Sequence, residues 1–154
     1  MGIFLETLKL LNLPNAWKIH GIKKLSSPTY PMLIILIATE AKVAIPIMIV
    51  NGTADPLNPY KGGMMQSGTF IMGNVRSTDH TFQYWASLGG YRGEPTKELV
   101  ADKDPADRKT IERYTYKEKG KPEIVILKVI GGKHDYPNDI DVHVEAWEFF
   151  KRQL

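Results

Sequence analysis

The architecture expected for this chain follows from one stretch, Ile45-Pro-Ile-Met-Ile-Val-Asn-Gly-Thr-Ala-Asp-Pro-Leu-Asn-Pro-Tyr60. Its first half is an apolar, β-branched run, which predicts a buried strand over residues 44–51. The run ends at Asn51-Gly52, and Asp55 follows in a loop that is interrupted by prolines. A buried parallel strand that ends in this way places a carboxylate at the edge of a sheet, where α/β proteins hold their functional residues.

A second apolar run, Glu123-Ile-Val-Ile-Leu-Lys-Val-Ile130, leads directly into Gly131-Gly132-Lys133-His134. The glycines let the backbone turn sharply and leave the imidazole exposed above the sheet edge. In a Ser-His-Asp site, His134 would be general base and then general acid, while Asp55 would accept its Nδ1–H and fix the tautomer. Each residue also has an ordinary interpretation, Asp55 as a turn residue and His134 as an exposed loop histidine.

The rest of the chain predicts alternating strands and helices. A helix is predicted at 77–90, with Ser77 or Thr78 as its N-cap and Gly89-Gly90 at its end. Residues 110–119 and 123–130 predict a hairpin. The other predicted elements are a final helix at 139–152, loops at 56–74 and 95–109, a short amphipathic helix at 3–13, and a buried strand or helix turn at 32–38. This order predicts an α/β fold.

Composition excludes several classes of function. The chain has 154 residues and a net charge of +3, with basic and acidic residues interspersed, so no nucleic-acid interface is expected. The apolar run Met32–Ala38 is too short to cross a bilayer, so no membrane partner is expected, and no signal peptide is visible. The compartment therefore stays undetermined.

Cysteine is absent, which excludes disulfides and thiolate metal sites. A metal held by His134 together with Asp135, Asp139 or His143 would match no established ligand spacing. We therefore expect neither a metal nor another cofactor.

A serine nucleophile is not found in the sequence. It should sit in Gly-x-Ser-x-Gly and precede the acid and the histidine in the chain. Among the serines, only Ser67 is followed by a glycine, and only Ser26 and Ser27 precede Asp55. Ser27-Pro28 cannot form the required strand-to-helix turn. The five serines are Ser26, Ser27, Ser67, Ser77 and Ser87.

From about residue 45 to 154, the chain resembles the C-terminal part of the polyhydroxybutyrate depolymerase and feruloyl esterase-like α/β-hydrolases. The resemblance implies a partial α/β-hydrolase fold, made of the C-terminal strands and helices of a mostly parallel sheet. It also implies that Asp55 is the triad acid and His134 the triad histidine. The matching pieces, in the family's order, are Asn51–Tyr60 with Gly62-Gly63, Ser77 to Trp85 with Gly89-Gly90, Gly131-Gly-Lys-His-Asp-Tyr-Pro137, and Trp147-Glu-Phe-Phe150.

The chain also departs from the family pattern. The family often has histidine at Asn51, glycine at Lys133 and tryptophan at Tyr136, and many members carry cysteine at Gly90. Residues 1–44 match no part of the family. The family's N-terminal half, with the nucleophile and the oxyanion-hole loop, has no counterpart in the sequence.

The resemblance therefore implies a secreted-type serine esterase for polyhydroxyalkanoate or hydroxycinnamoyl esters, which would bind its ester substrate only when completed by an N-terminal half. The chain by itself is expected to be inactive. The alternative is a non-catalytic remnant or interaction module that pairs through an exposed sheet edge, either with another chain or with such a half. The isolated chain is expected to self-associate. In the parent architecture that edge would belong to the strand at 45–51, which residues 32–38 have the composition to cover.

Overall fold

The computed structural model describes residues 4–5 and 41–154, and Phe4–Leu5 and the chain from Val43 onward belong to one compact unit. In chain order the elements are β1 (Phe4–Leu5), β2 (Ile47–Gly52), β3 (Gly63–Ser67), β4 (Phe70–Val75), α1 (Thr78–Leu88), β5 (Thr96–Leu99), a short 3₁₀ turn (Pro105–Asp107), β6 (Thr110–Tyr116), β7 (Ile124–Ile130) and α2 (Val142–Lys151).

Five of the strands form one mixed sheet in the order β1-β2-β7-β6-β5. Only β2 and β7 pair in parallel, and every other neighbouring pair in this sheet is antiparallel. The remaining strands, β3 and β4, form a separate antiparallel hairpin. The loops that carry Asp55 and His134 therefore follow the two strands of the one parallel pair in the described part of the chain.

The expected α/β class, a partial α/β-hydrolase fold with a mostly parallel sheet, is wrong. The described residues are mostly β, with one parallel pair and two helices. The physical reason lies in the connections. A parallel pair needs a crossover of about a dozen residues or more, and the turns from β5 to β6 and from β6 to β7 are too short for one. The segment between β2 and β7 is long enough and contains α1, whereas the long connection from β1 to β2 joins an antiparallel pair.

The mixed sheet packs a helix against each face. Ile47, Ile49 and Ile126 lie in the cluster that holds Phe82 and Ala86 of α1. Because successive strand residues point to opposite faces, Met48 and Leu127 lie in the second cluster, with Ala146 and Phe149 of α2. Complete burial of a side chain such as Phe149 stabilises the fold by about 1.5–3 kcal/mol. These two layers hold β2 and β7 rigidly beneath the site.

Several local predictions are confirmed. The strand predicted at 44–51 is β2, and the hairpin predicted at 110–130 is β6 and β7. The predicted helices are α1 and α2. Ser77 Oγ accepts from His80 N–H at 3.2 Å, and Asp141 Oδ1 accepts from His143 N–H at 2.9 Å. Within α2, Phe149 is fully buried, whereas Trp147 is 60% exposed.

Other local predictions are wrong. The loop predicted at 56–74 contains the β3–β4 hairpin, and the loop predicted at 95–109 contains β5. Both stretches lack the alternation of apolar and polar residues that marks a half-buried strand, because none of β3, β4 and β5 contributes a buried residue to a core. Of the helix predicted at 3–13, Phe4 and Leu5 form a strand that pairs with β2 at Ile49 and Met48. The rest of that helix, and residues 32–38, lie outside the described residues.

No helix in the described part of the chain is long and apolar enough to cross a membrane.

Candidate functional site

The site forms where β2 and β7 end. In their parallel register Gly52 lies beside Val129, so both strands deliver their following loops to the same edge of the sheet. Thr53 N–H donates to the Val129 carbonyl and Ala54 N–H donates to the Gly132 carbonyl, each at 2.9 Å. Gly131 N–H donates to Thr53 Oγ1, also at 2.9 Å. Hydrogen bonds of the backbone and of Thr53 thus join the two loops independently of any candidate catalytic side chain.

Two glycines allow this close approach. A Cβ atom on Gly52 would lie closer than 3.0 Å to the carbonyl groups of Gly132 and Lys133. A Cβ atom on Gly132 would collide with the Val129 side chain in the same way. Gly131 adopts a φ of +74°, a left-handed conformation that glycine adopts without steric cost. The glycines that follow each strand are therefore required for the geometry of the site.

Asp55 and His134 are in contact, as expected for a triad acid and histidine. Asp55 Oδ2 lies 2.8 Å from His134 Nδ1, across 79 residues of chain. Asp55 Oδ1 accepts from the N–H groups of Leu57 and Asn58 at 2.8 and 2.9 Å. These two bonds form the turn on which the ordinary interpretation of Asp55 rests, so the same carboxylate closes its own turn and holds the imidazole.

Asp55 is buried, yet its surroundings favour the ionised form. Burial raises the pKa of the Asp55 carboxyl, but hydrogen bonds from Asn58 N–H, His134 and Leu57 N–H outweigh burial and hold the pKa below its usual value. An ionised carboxylate only accepts hydrogen bonds, so His134 Nδ1 must carry the proton between them. The second nitrogen, Nε2, is then the basic one in the neutral ring.

His134 remains accessible, since 28% of its side chain is exposed. An oriented imidazole at the surface can take a proton from a hydroxyl group or a water molecule brought to Nε2, and then return the proton to a leaving group. The arrangement is therefore an oriented general base that another molecule can reach.

The described residues supply no nucleophile to this histidine. Ser77 caps α1, Ser87 lies within α1 and Ser67 lies in β3. None of these three has a hydrogen bond to His134 within the part of the chain that the structure describes. Ser26 and Ser27 lie outside the described residues.

The alternative metal site does not assemble. Asp135 pairs with Lys109 at 3.2 Å, Asp139 Oδ1 accepts from Lys103 N–H at 2.8 Å, and the His143 ring lies against Tyr136. Over residues 4–5 and 41–154, no group of three or more His, Asp or Glu side chains is placed to hold a metal ion.

A second layer of side chains anchors the Asp55 loop, and sequence reasoning did not identify it. Asn51 Nδ2 donates to Thr78 Oγ1 at 2.7 Å, which joins the end of β2 to the start of α1. Tyr60 Oη donates to Asp79 Oδ1 at 2.5 Å, and burial together with this bond raises the Tyr60 pKa. Asn51 offered one signal, since it is a polar residue directly after a buried apolar run. The partner of Tyr60 could not be read from the chain.

A further segment, residues 102–109, braces the loop that carries His134. Besides the Asp139 and Asp135 contacts, Asn138 Nδ2 donates to Asp104 Oδ2 at 3.1 Å. Arg108 adopts a φ of +59°, which is unfavourable for a side-chain-bearing residue, and its carbonyl lies close to Gly131. This brace fixes the backbone on both sides of His134.

The cavity that touches Asp55 is small. Its volume is about 10 Å³, which is the space of about one water molecule. Its lining is mixed, with Val50 and Val129 beside Asn51, Lys133 and Tyr136. The cavity is too small for an acyl chain, so an acyl group would have to bind outside this cavity.

Comparison of the chain with protein-family models, with curated proteins and with solved structures gives no match. The geometry of Asp55 and His134, together with the residues that hold them, is therefore the basis for assigning a function.

Proposed function

We propose that this chain carries the acid and the histidine of a serine esterase, of the lineage of the polyhydroxybutyrate depolymerase and feruloyl esterase-like enzymes. The observation that carries the proposal is the 2.8 Å contact between Asp55 Oδ2 and His134 Nδ1, made by a buried carboxylate and a partly exposed imidazole. The acyl ester substrate, of polyhydroxyalkanoate or feruloyl type, follows from the resemblance.

In this proposal Asp55 and His134 have separate roles. Asp55 holds the Nδ1–H tautomer and stabilises the imidazolium that forms when His134 takes a proton. His134 Nε2 removes the proton of a serine hydroxyl as that oxygen attacks the ester carbonyl, and then gives the proton to the departing alcohol. In the second half-reaction His134 activates water in the same way. Neither residue forms a covalent bond to the substrate.

The serine must come from another segment or chain. The sequence contains no Gly-x-Ser-x-Gly turn, and the cavity beside Asp55 is too small for an acyl group. Both observations favour a site that is completed by an N-terminal half of the enzyme. The chain on its own would then bind no ester productively.

The test is to sequence the transcript upstream of the Met1 codon and to express whatever longer product it encodes. We expect a frame with Gly-x-Ser-x-Gly, and hydrolysis of p-nitrophenyl butyrate by the product. His134→Ala should reduce kcat/KM by about 10⁶-fold and Asp55→Asn by about 10⁴-fold. His143→Ala, a histidine outside the site, is the control and should keep full activity. An upstream region that encodes no such turn, or a product whose activity survives His134→Ala, would refute the esterase assignment.

The second candidate function is an interaction module that pairs through an exposed sheet edge. The edge expected to pair, that of β2, is occupied in part by β1. The exposed edge is instead that of the β3–β4 hairpin, which exposes large apolar side chains and pairs with no other strand in the described part of the chain.

A further inference from the structure

The β3–β4 hairpin is unusual for a surface element. Phe70 is 68% exposed, Ile71 61% and Met64 51%. The two strands pair only with each other among the described residues. A two-stranded hairpin is marginally stable in water without a packed face or a further strand. The exposed apolar residues and the unpaired outer edges both call for an additional strand.

The hairpin also lacks the charges that normally protect such an edge. Residues 63–75 contain no Lys, Arg, Asp or Glu. The edge strand of the mixed sheet, β5, is as exposed as the hairpin but carries Lys97 and Glu98. Charges on an edge strand are a common device against pairing between chains. The fold therefore protects one of its exposed edges and leaves the hairpin open.

Of the two hairpin strands, β3 has the more regular edge. Met65 pairs with Gly73 but Gln66 pairs with Ile71, so Met72 is an extra residue in β4. A bulge of this kind bends the strand that contains it and disturbs pairing on its free side. No extra residue interrupts β3, so the N–H and C=O groups that its alternate residues turn away from β4 keep the regular spacing that a partner strand needs.

We propose that β3 pairs antiparallel with β3 of a second copy of this chain, across a two-fold axis at Met65. A two-fold interface needs a patch that fits itself, and an uncharged strand meets its own copy without like-charge repulsion. The same lack of charge gives an acidic or basic partner nothing to attract it. The result is a four-stranded sheet in which Met65 of one copy faces Met65 of the other, with the two β4 strands on the outside.

The contact is short, so the dimer should be weak and concentration-dependent. The inference rests on the second candidate function and names its partner. Its test measures association and not ester hydrolysis, so the pairing and the esterase assignment can fail separately.

The test measures mass by size-exclusion chromatography with light scattering over a range of protein concentrations. We expect a dimer that dissociates on dilution. Met65→Lys places two lysines opposite each other at the axis and should raise the dimer Kd about tenfold or more. Thr69→Lys adds the same charge at the hairpin turn, away from the axis, and should leave the Kd within about twofold.

A crosslink tests the register even if Met65→Lys disturbs the hairpin. Residues that face each other across antiparallel strands have Cα atoms about 4.5–5.5 Å apart, within the range for a disulfide. The chain has no cysteine, so Met65→Cys introduces its only thiol. Under mild oxidation Met65→Cys should form a disulfide-linked dimer, whereas Ser87→Cys on α1 should not.

Three outcomes would overturn the proposal. The first is a monomer at every concentration with hairpin amides protected from hydrogen exchange, which would mean that another segment of the same chain covers β3. The second is a monomer with unprotected hairpin amides. The third is a dimer that Met65→Lys does not weaken and Met65→Cys does not crosslink.

Discussion

Asp55 combines two tasks in one carboxylate. One oxygen closes the turn after β2 and the other holds His134. Because Asn can accept the backbone N–H groups through its Oδ1 atom, the exchange of Asp55 for Asn separates the charge of the carboxylate from its shape. The effect of that charge on stability can then be measured as a function of pH.

Asp55→Asn should destabilise the chain at neutral pH, and the difference from the natural chain should shrink in acid. The pKa of Asp55 is lower in the folded chain than its usual value, so near that usual value the unfolded chain binds more protons. The stabilisation that the ionised Asp55 contributes is fully present above a pH of about 4. It is lost as the pH falls through the pKa of Asp55 in the folded chain. Urea unfolding at several pH values measures this difference.

The exposed carboxylate of Asp102 provides the control for this measurement. Asp102→Asn should leave the acid-dependent part of the stability in place. A difference between Asp55→Asn and the natural chain that stays constant from neutral to strongly acidic pH would contradict the assigned environment of Asp55.

At the scale of the elements, two strand ends and their glycine turns create the site. β2 and β7 are adjacent and parallel, and the hydrogen bonds of Thr53, Ala54 and Gly131 join their loops. The close approach of Gly52 to the 132–133 backbone leaves no space for a methyl group. The separation between Asp55 and His134 therefore depends on a residue that touches neither side chain.

Gly52→Ala should force the two loops apart. Overpacking of this kind costs about 1–3 kcal/mol of unfolding free energy. The shift should also weaken the contact between Asp55 and His134, which NMR detects as loss of the hydrogen-bonded Nδ1–H signal of His134. Denaturant unfolding measures the stability of the same sample.

Gly89→Ala is the matched control. Gly89 has a φ of −73°, and an added Cβ would meet only the edge of the Tyr91 ring and the Ala86 carbonyl, at 3.3 Å or more. Its cost should stay below about 1 kcal/mol, with the His134 signal retained. If Gly52→Ala behaves like Gly89→Ala, the close approach of the loops is not what sets the site.

For the whole molecule, the described residues hold an oriented acid–base pair and supply no nucleophile to it. Two helices and a mixed sheet fix the pair, and the cavity beside it has space for about one water molecule. The exposed hairpin is the other feature at this scale, since it is apolar, uncharged and without a partner strand beyond its own pair in the described chain.

The chain alone should show no serine-esterase turnover. Loss of the nucleophile costs about 10⁶-fold in kcat, and loss of one oxyanion-hole donor costs about 10²–10³-fold. Purified chain should give no burst with p-nitrophenyl acetate or butyrate and no covalent label with a fluorophosphonate. The residual rate should be the same for His134→Ala. Stoichiometric labelling of any serine, located by mass spectrometry, would contradict this expectation.

Local sequence patterns predicted much of the secondary structure because their signals lie within a few residues. The apolar run of β2, the cap and glycine end of α1, the turn between β6 and β7, and the Asp141 cap of α2 all have this property. The β3–β4 hairpin was missed because no core imposes alternation on it. Its glycines and uncharged residues look like a loop, although they pair as strands.

The residues that could meet at the site, Asp55 and His134, were evident from the chain because each directly follows a buried strand and a glycine turn. Their contact depends on β2 and β7 being parallel neighbours, which is a property of the sheet and not of either segment. The short connections from β5 to β6 and from β6 to β7 account for two of the antiparallel pairs, but connection length does not decide the direction of β1 beside β2. Strand pairing joins residues that are distant in the chain, so local propensity does not predict which strands become neighbours.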